Sequence, residues 1–138
     1  MARCENFRER IYGDFEVTSN DGNNPISKSY LDKLRSICPP VGKAAENNIT
    51  AMDNVTPEVF DNSYFHMLMR GEGLMNSDQE LYSSLLGMET RALVKKYAAE
   101  PLAFFQQFSD SMVKLGNITN SDSYFTGEVR TNCRFINT

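Results

Sequence analysis

Apolar residues recur at steps of three and four along most of this chain, and those steps predict helices. Phe7 and Ile11 lie four apart between Cys4 and Tyr12 with Arg and Glu around them, which reads as the tail of an amphipathic helix. Residues 18–26 are dense in turn formers, with Asp21-Gly22 and Pro25 among them, and read as a loop. Ser27 can cap the helix that follows; Tyr30, Leu31, Leu34 and Ile37 form its stripe, and Cys38-Pro39-Pro40 ends it. Residues 41–50 read as an exposed polar loop. Thr56-Pro57 then reads as the start of a helix running to about Arg70, with Phe60, Tyr64, Met67 and Leu68 inward and Gly71 as its stop. A short element over 74–84, capped by Ser77 or Asp78, precedes a helix from about Met88 to Ala99 with Leu93, Val94, Tyr97 and Ala98 on one side. The strongest stripe is Leu102, Phe105, Phe108, Met112 and Leu115, which predicts a helix over 101–115 with its aromatic face buried against other helices. After Thr119 no stripe continues, and Phe125, Val129, Cys133, Phe135 and Ile136 read as anchors of an extended strap. The sum is an all-α fold of about five helices with an extended C-terminal segment.

A chain of 138 residues holds one domain with a core of its own. The net charge of -4, with Lys and Arg scattered among acids, argues against a nucleic-acid or membrane-surface partner. No apolar run approaches the roughly 18–20 residues of a spanning helix. The first residues also lack the apolar core of a signal peptide. Cys4, Cys38 and Cys133 make an odd count, so one lacks a partner within the chain. Sequons at Asn48, Asn54 and Asn117 lean toward an oxidising, glycosylating compartment. That lean conflicts with the absent signal segment, which predicts that the chain is part of something larger.

The stretch from Met52 to Gln79 concentrates the candidate chemistry. Asp53, Thr56, Val59 and Asp61 can converge two carboxylates, a hydroxyl and backbone carbonyls where a loop becomes a helix, a donor set for a hard cation such as calcium. The alternative is an ordinary helix start, with Thr56 as the cap, Pro57 in the first position and Glu58 favoured by the helix dipole. Catalytic sets find little support. His66 is the one histidine and has no positioned partner. The cysteines have no nearby base, and Gly71-Glu72-Gly73 follows no strand that would make it a phosphate loop.

Ala2-Arg3-Cys4, Phe7-Arg8, Arg10-Ile11-Tyr12, Cys38-Pro39, Met52-Asp53, Thr56-Pro57, Phe60-Asp61-Asn62, Gly73-Leu74, Ser77-Asp78-Gln79, Tyr97-Ala98, Phe108, Met112, Thr126-Gly127-Glu128 and Asn132-Cys133-Arg134 together resemble the C-terminal half of the secreted plant haem peroxidases, the class III family. The resemblance spans the whole chain. In that family the segment before the Arg-Cys pair reads His-Thr-Ile-Gly-x-Ala-Arg-Cys, and Met1 falls on the x. The resemblance therefore implies a partial haem peroxidase domain over residues 1–138, with the distal half and the proximal histidine segment lying ahead of Met1.

The resemblance also implies a function, hydrogen peroxide-dependent oxidation of phenolic donors at haem b, in an extracellular protein that is usually monomeric. It assigns calcium to Asp53, Thr56, the Val59 carbonyl and Asp61. Asp78 matches the carboxylate that accepts the ring N–H of the proximal histidine. Cys4 and Cys38 match a family disulfide, and Cys133 matches half of a bridge whose mate lies in the preceding half, which leaves it unpaired here; where that half would have packed, exposed apolar surface is expected to favour association. Because Thr56 is wanted at the cation, Asn54 is the least suited of the three sequons. His66 matches no ligand position, so no catalytic residue is expected within the chain. The competing expectation is a non-catalytic helical module that binds calcium or pairs with another chain.

Overall fold

The N-terminal dozen residues are tied to the rest of the chain by a covalent bond between Cys4 and Cys38, 34 positions apart. The computed structural model describes residues 1–13, 25–42, 46–118 and 127–137. The Asp21-Gly22 turn, Phe125 and Thr126 lie outside them. Two compact units are distinguished, Met1–Phe105 and Gln106–Thr138.

In the first unit the expected helical tail splits into a 3-10 turn, Cys4–Phe7, and α1, Arg8–Tyr12. Ahead of it, β1 (Ala2–Arg3) pairs antiparallel with β2 (Ile49–Thr50), a two-residue bridge inside the stretch expected to be loop. A bridge this short carries no alternating pattern for a reader of sequence to detect. Helix α2, Lys28–Ile37, begins as expected at Ser27, whose Oγ accepts from the Tyr30 amide at 3.4 Å. Tyr30, Leu31 and Leu34 pack with Ala2, Cys4, Phe7, Ile11, Cys38, Met67 and Leu74 into the core.

The helix expected from Thr56 begins only at Ser63. Helix α3 is Ser63–Met69, and residues 52–62 form turns and bends. The reason is local competition: Asp53 Oδ1 accepts from the amides of Val55 and Thr56 at 2.8 and 3.0 Å, and Asp61 Oδ1 accepts from the Ser63 amide at 2.8 Å. Carboxylates that capture nearby backbone N–H groups hold the chain in Asx turns in place of a helix. Gly71 does stop α3, with φ of 73°, and its neighbour Gly73 lies so close to Gln79 that a Cβ there would meet the Gln79 amide nitrogen at 2.9 Å.

Helix α4, Asn76–Ser83, and helix α5, Met88–Ala99, complete the packing around α3. Val94 and Ala98 are the buried members of the α5 stripe; Leu93 faces solvent. Helix α6, Pro101–Gly116, reverses an expectation, since none of its residues is buried and Leu102, Phe108, Met112 and Leu115 are all exposed. Its first turn does pack: Phe104 meets Phe65 edge-on at 4.8 Å and Phe60 at 5.3 Å. Six α-helices thus stand among the described residues, with one two-residue β-bridge, and the fold is all-α.

The second unit holds the rest of α6 and residues 127–137. Val129, Phe135 and Ile136 are exposed there and do not act as apolar anchors. Polar contacts organise this tail instead. Arg130 pairs with Glu128 at 2.8 Å, and the Asn137 amide donates to the Val129 carbonyl at 2.9 Å.

Closing a loop of this length by a disulfide is worth about 3–4 kcal/mol in the chain-entropy account. Urea titration of the Cys4→Ser/Cys38→Ser variant is expected to show an unfolding free energy lower than wild type by that amount. A midpoint unchanged from wild type would mean that the bond contributes nothing to the core.

Candidate functional site

Because the Asx turns keep residues 52–62 out of helix, their side chains are gathered over a short distance. Thr56 lies between the two carboxylates. Its hydroxyl donates to Asp53 Oδ2 at 3.2 Å and also reaches Asp61. The Asp61 carboxyl is held below the usual carboxylate range, first by the Ser63 backbone N–H, then by the Thr56 and Ser63 hydroxyls and the nearby His66. Val59 closes the turn through its amide, which donates to the Thr56 carbonyl at 3.0 Å. Asp53, Thr56 and Asp61 therefore share one cluster of oxygens, with Val59 in the same turn. Asn62 fixes the far end of this loop by donating to the carbonyls of Tyr97 and Ala98 at 3.0 and 2.8 Å. Those carbonyls end α5 and have no helical N–H of their own to accept from.

In the first turn of α3, Tyr64 reaches toward α4. Its hydroxyl donates to Asp78 Oδ1 at 2.8 Å, while Asp78 Oδ2 accepts from the Met75 amide at 2.9 Å. Asp78 thus caps the start of α4 from its third residue and is 7% exposed. Ser77 has no such part. Burial first, then the hydrogen bond and charge of Asp78, push the Tyr64 phenol above its ordinary value of 10.0. Sequence reasoning found Asp78 but placed Tyr64 only among inward apolar positions; two residues 14 apart in different helices leave no local signal.

The chain on either side of Asp78 is fixed as well. Gln79 is fully buried, accepting from the Gly73 amide at 3.0 Å and donating to the Leu68 carbonyl at 2.9 Å. Arg10 donates to the Gly73 carbonyl at 3.1 Å and to Asn76 Oδ1 at 3.0 Å, bringing α1 against the start of α4. A cleft of about 500 Å³ opens between these elements, lined by residues 5–10 and 75–77.

Other candidates are dispersed. His66 is exposed on α3, and Cys133 is an exposed free thiol in the second unit. Asn48 is exposed just ahead of β2, Asn54 is half-buried in the loop, and Asn117 is exposed after α6. No group of three or more His, Cys, Asp or Glu side chains suited to a metal ion occurs among the described residues. Any cation at the 52–62 loop would rest on two carboxylates, a hydroxyl and carbonyl oxygens.

The chain is similar to known proteins along nearly its whole length. A family model described as Peroxidase matches residues 1–100. The chain is 62% identical to Peroxidase 11 of Arabidopsis thaliana over 99% of its own length and 40% of that protein. It is 44% identical to Peroxidase 9 of the same plant, over 99% of the chain and 38% of the relative. It is 38% identical to the Lignin-forming anionic peroxidase of Nicotiana tabacum, again over 99% of the chain and 40% of the relative. The chain spans about two fifths of the length of these relatives. A family match over most of the chain, joined to relatives this similar along nearly all of it, places the chain in the plant peroxidase family.

Proposed function

We propose that this chain is the part of a secreted haem peroxidase that supports the protein ligand of the iron, and that the whole protein oxidises small phenolic donors with hydrogen peroxide. The observation that carries this reading is the buried Asp78 carboxylate, fixed at both oxygens by Tyr64 and Met75. A carboxylate held this way keeps further lone pairs with which to accept a ring N–H and orient a ligating histidine. Haem, when bound, supplies the iron at which peroxide is reduced. In this reading the chain supports the iron ligand and does not supply it: Asp78 is placed to hold a ligating histidine, while His66 stands on the exposed side of α3. The tobacco relative is named for lignin formation, which agrees with a phenolic donor.

Asp53, Thr56, the Val59 carbonyl and Asp61 would hold calcium in this reading. The donor set is all oxygen, as a hard cation requires, and water or other residues would complete the roughly 6–8 ligands of calcium. The Thr56 hydroxyl, now donating to Asp53, would turn a lone pair to the ion.

Thermal melting in calcium and in chelator tests the loop. At calcium 100-fold above the dissociation constant, mass action is expected to stabilise the chain by about 2.7 kcal/mol. Asp61→Ala and Asp53→Ala should each abolish the difference, and equal melting of wild type in both conditions would remove calcium from the reading.

The role of Asp78 is tested in a chimera in which this chain replaces the matching segment of Peroxidase 11. Haem uptake is followed in the Soret region, and oxidation of a phenolic donor is followed with peroxide. Asp78→Asn is expected to slow turnover about 10–100-fold, the usual effect of losing the partner of a metal-bound histidine. Unchanged turnover would separate Asp78 from the iron.

The raised phenol of Tyr64 generates a pH dependence in the chain alone. A group that holds its proton more tightly when folded stabilises the fold fully below its unfolded pKa, and that stability is lost as pH rises above it. Stability is therefore expected to fall above the ordinary phenol value of 10.0, more gently in Tyr64→Phe than in wild type. Identical slopes in alkaline urea titrations would show that the Tyr64 phenol ionises freely.

A further inference from the structure

An N-linked oligosaccharide needs an Asn-x-Ser/Thr acceptor, and the folded protein must leave room for a bulky group at the side-chain amide nitrogen. The chain has three such acceptors, at Asn48, Asn54 and Asn117. The Asn117 acceptor includes Thr119, which lies outside the described residues and plays no part here. The other two stand six residues apart in opposite environments.

Asn54 faces inward. Its Oδ1 accepts from Lys33 Nζ at 3.2 Å, and its Nδ2 is shut off from solvent. The side chain lies against the buried hydroxyl of Tyr30, itself a member of the core. A sugar on Asn54 would have to displace α2 from that core or turn the Asn54 side chain out of the loop that carries Asp53 and Thr56.

Asn48 is exposed, and its backbone is anchored on both sides. Its carbonyl accepts from the Cys4 amide at 2.8 Å, and the two residues that follow it form β2. Its Nδ2 donates to the Ile37 carbonyl at 2.7 Å. A primary amide has two N–H groups and glycosylation replaces one, so the bond to Ile37 can persist in the modified residue. The sugar then leaves the surface in a direction set by that bond, next to the exposed Ile49.

We propose that Asn48 accepts an N-linked oligosaccharide when the chain passes through a glycosylating compartment, and that the folded chain excludes one from Asn54. The proposal rests on the secretory reading above only for its occurrence in the natural protein; the choice of site rests on the geometry.

The test is to express the full chain behind a cleavable secretion leader in plant cells. Molecules with the Cys4–Cys38 disulfide are separated from those without it. Both fractions are treated with a plant-active N-glycosidase in heavy-oxygen water and mapped by peptide mass. In the disulfide-bonded fraction we expect the label at Asn48 and none at Asn54, with Asn54 labelled only in molecules that lack the disulfide. Thr50→Ala, which removes the acceptor motif but leaves the Asn48 amide on Ile37, should lose the label at position 48. Pro57 follows the second acceptor and could itself hinder transfer; in Pro57→Ala the disulfide-bonded fraction should still be unlabelled at Asn54. An unlabelled Asn48, or a labelled Asn54, in the disulfide-bonded fraction of either chain would overturn the proposal. A leader-directed chain labelled at Asn48, beside protein from plant tissue that has no glycan, would support the site and sink the secretory reading instead.

Discussion

The Cys4–Cys38 bond is the constraint on which the first unit depends. It joins the start of the chain to the end of α2, and both sulfurs lie inside the same core as Phe7, Ile11, Leu31 and Leu34. The 3-10 turn and α1 together span only nine residues, too few to be stable as free helix in water. They are held by what surrounds the bond. The Cys4 amide reaches the Asn48 carbonyl, Tyr12 donates from its hydroxyl to the Cys38 carbonyl at 2.8 Å, and Arg35 donates to the Ile11 carbonyl at 3.0 Å. Backbone groups that short helices leave unpaired are thus satisfied from outside them: the Cys4 amide by the Asn48 carbonyl, the Ile11 carbonyl by Arg35 of α2, and the Cys38 carbonyl at the end of α2 by Tyr12.

From that anchor, order passes to Asp78 through polar contacts made in a buried setting. Arg10 reaches from α1 to the Gly73 carbonyl, and Gln79 takes the amide of the same Gly73. Both faces of one peptide segment are therefore clamped, and the close approach leaves no room for a Cβ. Burial disfavours the charged form of the Arg10 guanidinium, yet the negative Asp78 and Glu80 nearby support it. A buried polar network is stable only when its members are satisfied, and here Arg10 and Gln79 close on the backbone groups of Gly73 and Leu68. Asp78 is placed between this clamp and Tyr64, which explains how one carboxylate can be held without an ion pair.

Signals that operate within one turn of chain were legible in the sequence. Ser27 before α2, Gly71 after α3 and the span of α5 follow from caps, positive φ and periodicity. The Thr56-Pro57 start misled because a good cap and a good first residue are weaker than two carboxylates that take the backbone amides for themselves. The α6 stripe is real as a pattern, but periodicity shows only that a face exists and not that something covers it. Within the candidate site, Asp53, Thr56 and Asp61 could be named from sequence because their residue types carry the chemistry, whereas residue pattern alone made Asp78 a helix cap and only the family resemblance gave it a further role. Arg10, Asn62 and Tyr64 could not be named, since each acts on a partner in another element, 63 positions away in the case of Arg10 and Gly73.

The two parts of the site are joined by four consecutive residues. Asp61 belongs to the oxygen cluster, Asn62 ties the loop to the end of α5, Ser63 opens α3, and Tyr64 reaches Asp78. A helix N-terminus carries partial positive charge and would repel a cation placed against it. Asp61 stands between, with Oδ1 on the Ser63 amide, and an ion would take its remaining lone pairs in competition with the Thr56 and Ser63 hydroxyls. In the proposed calcium-bound state the ion would tighten Asp61, and Asp61 would in turn fix the first turn of α3. Tyr64 lies in that turn, so its hydroxyl would keep its aim on Asp78 Oδ1. The ion would then govern the orientation of the Asp78 carboxylate, proposed to support the iron ligand, without touching it, through a rigid path one helical turn long. Flexibility in the loop would be felt first as loss of the Tyr64–Asp78 bond, before any change in the core that the disulfide holds.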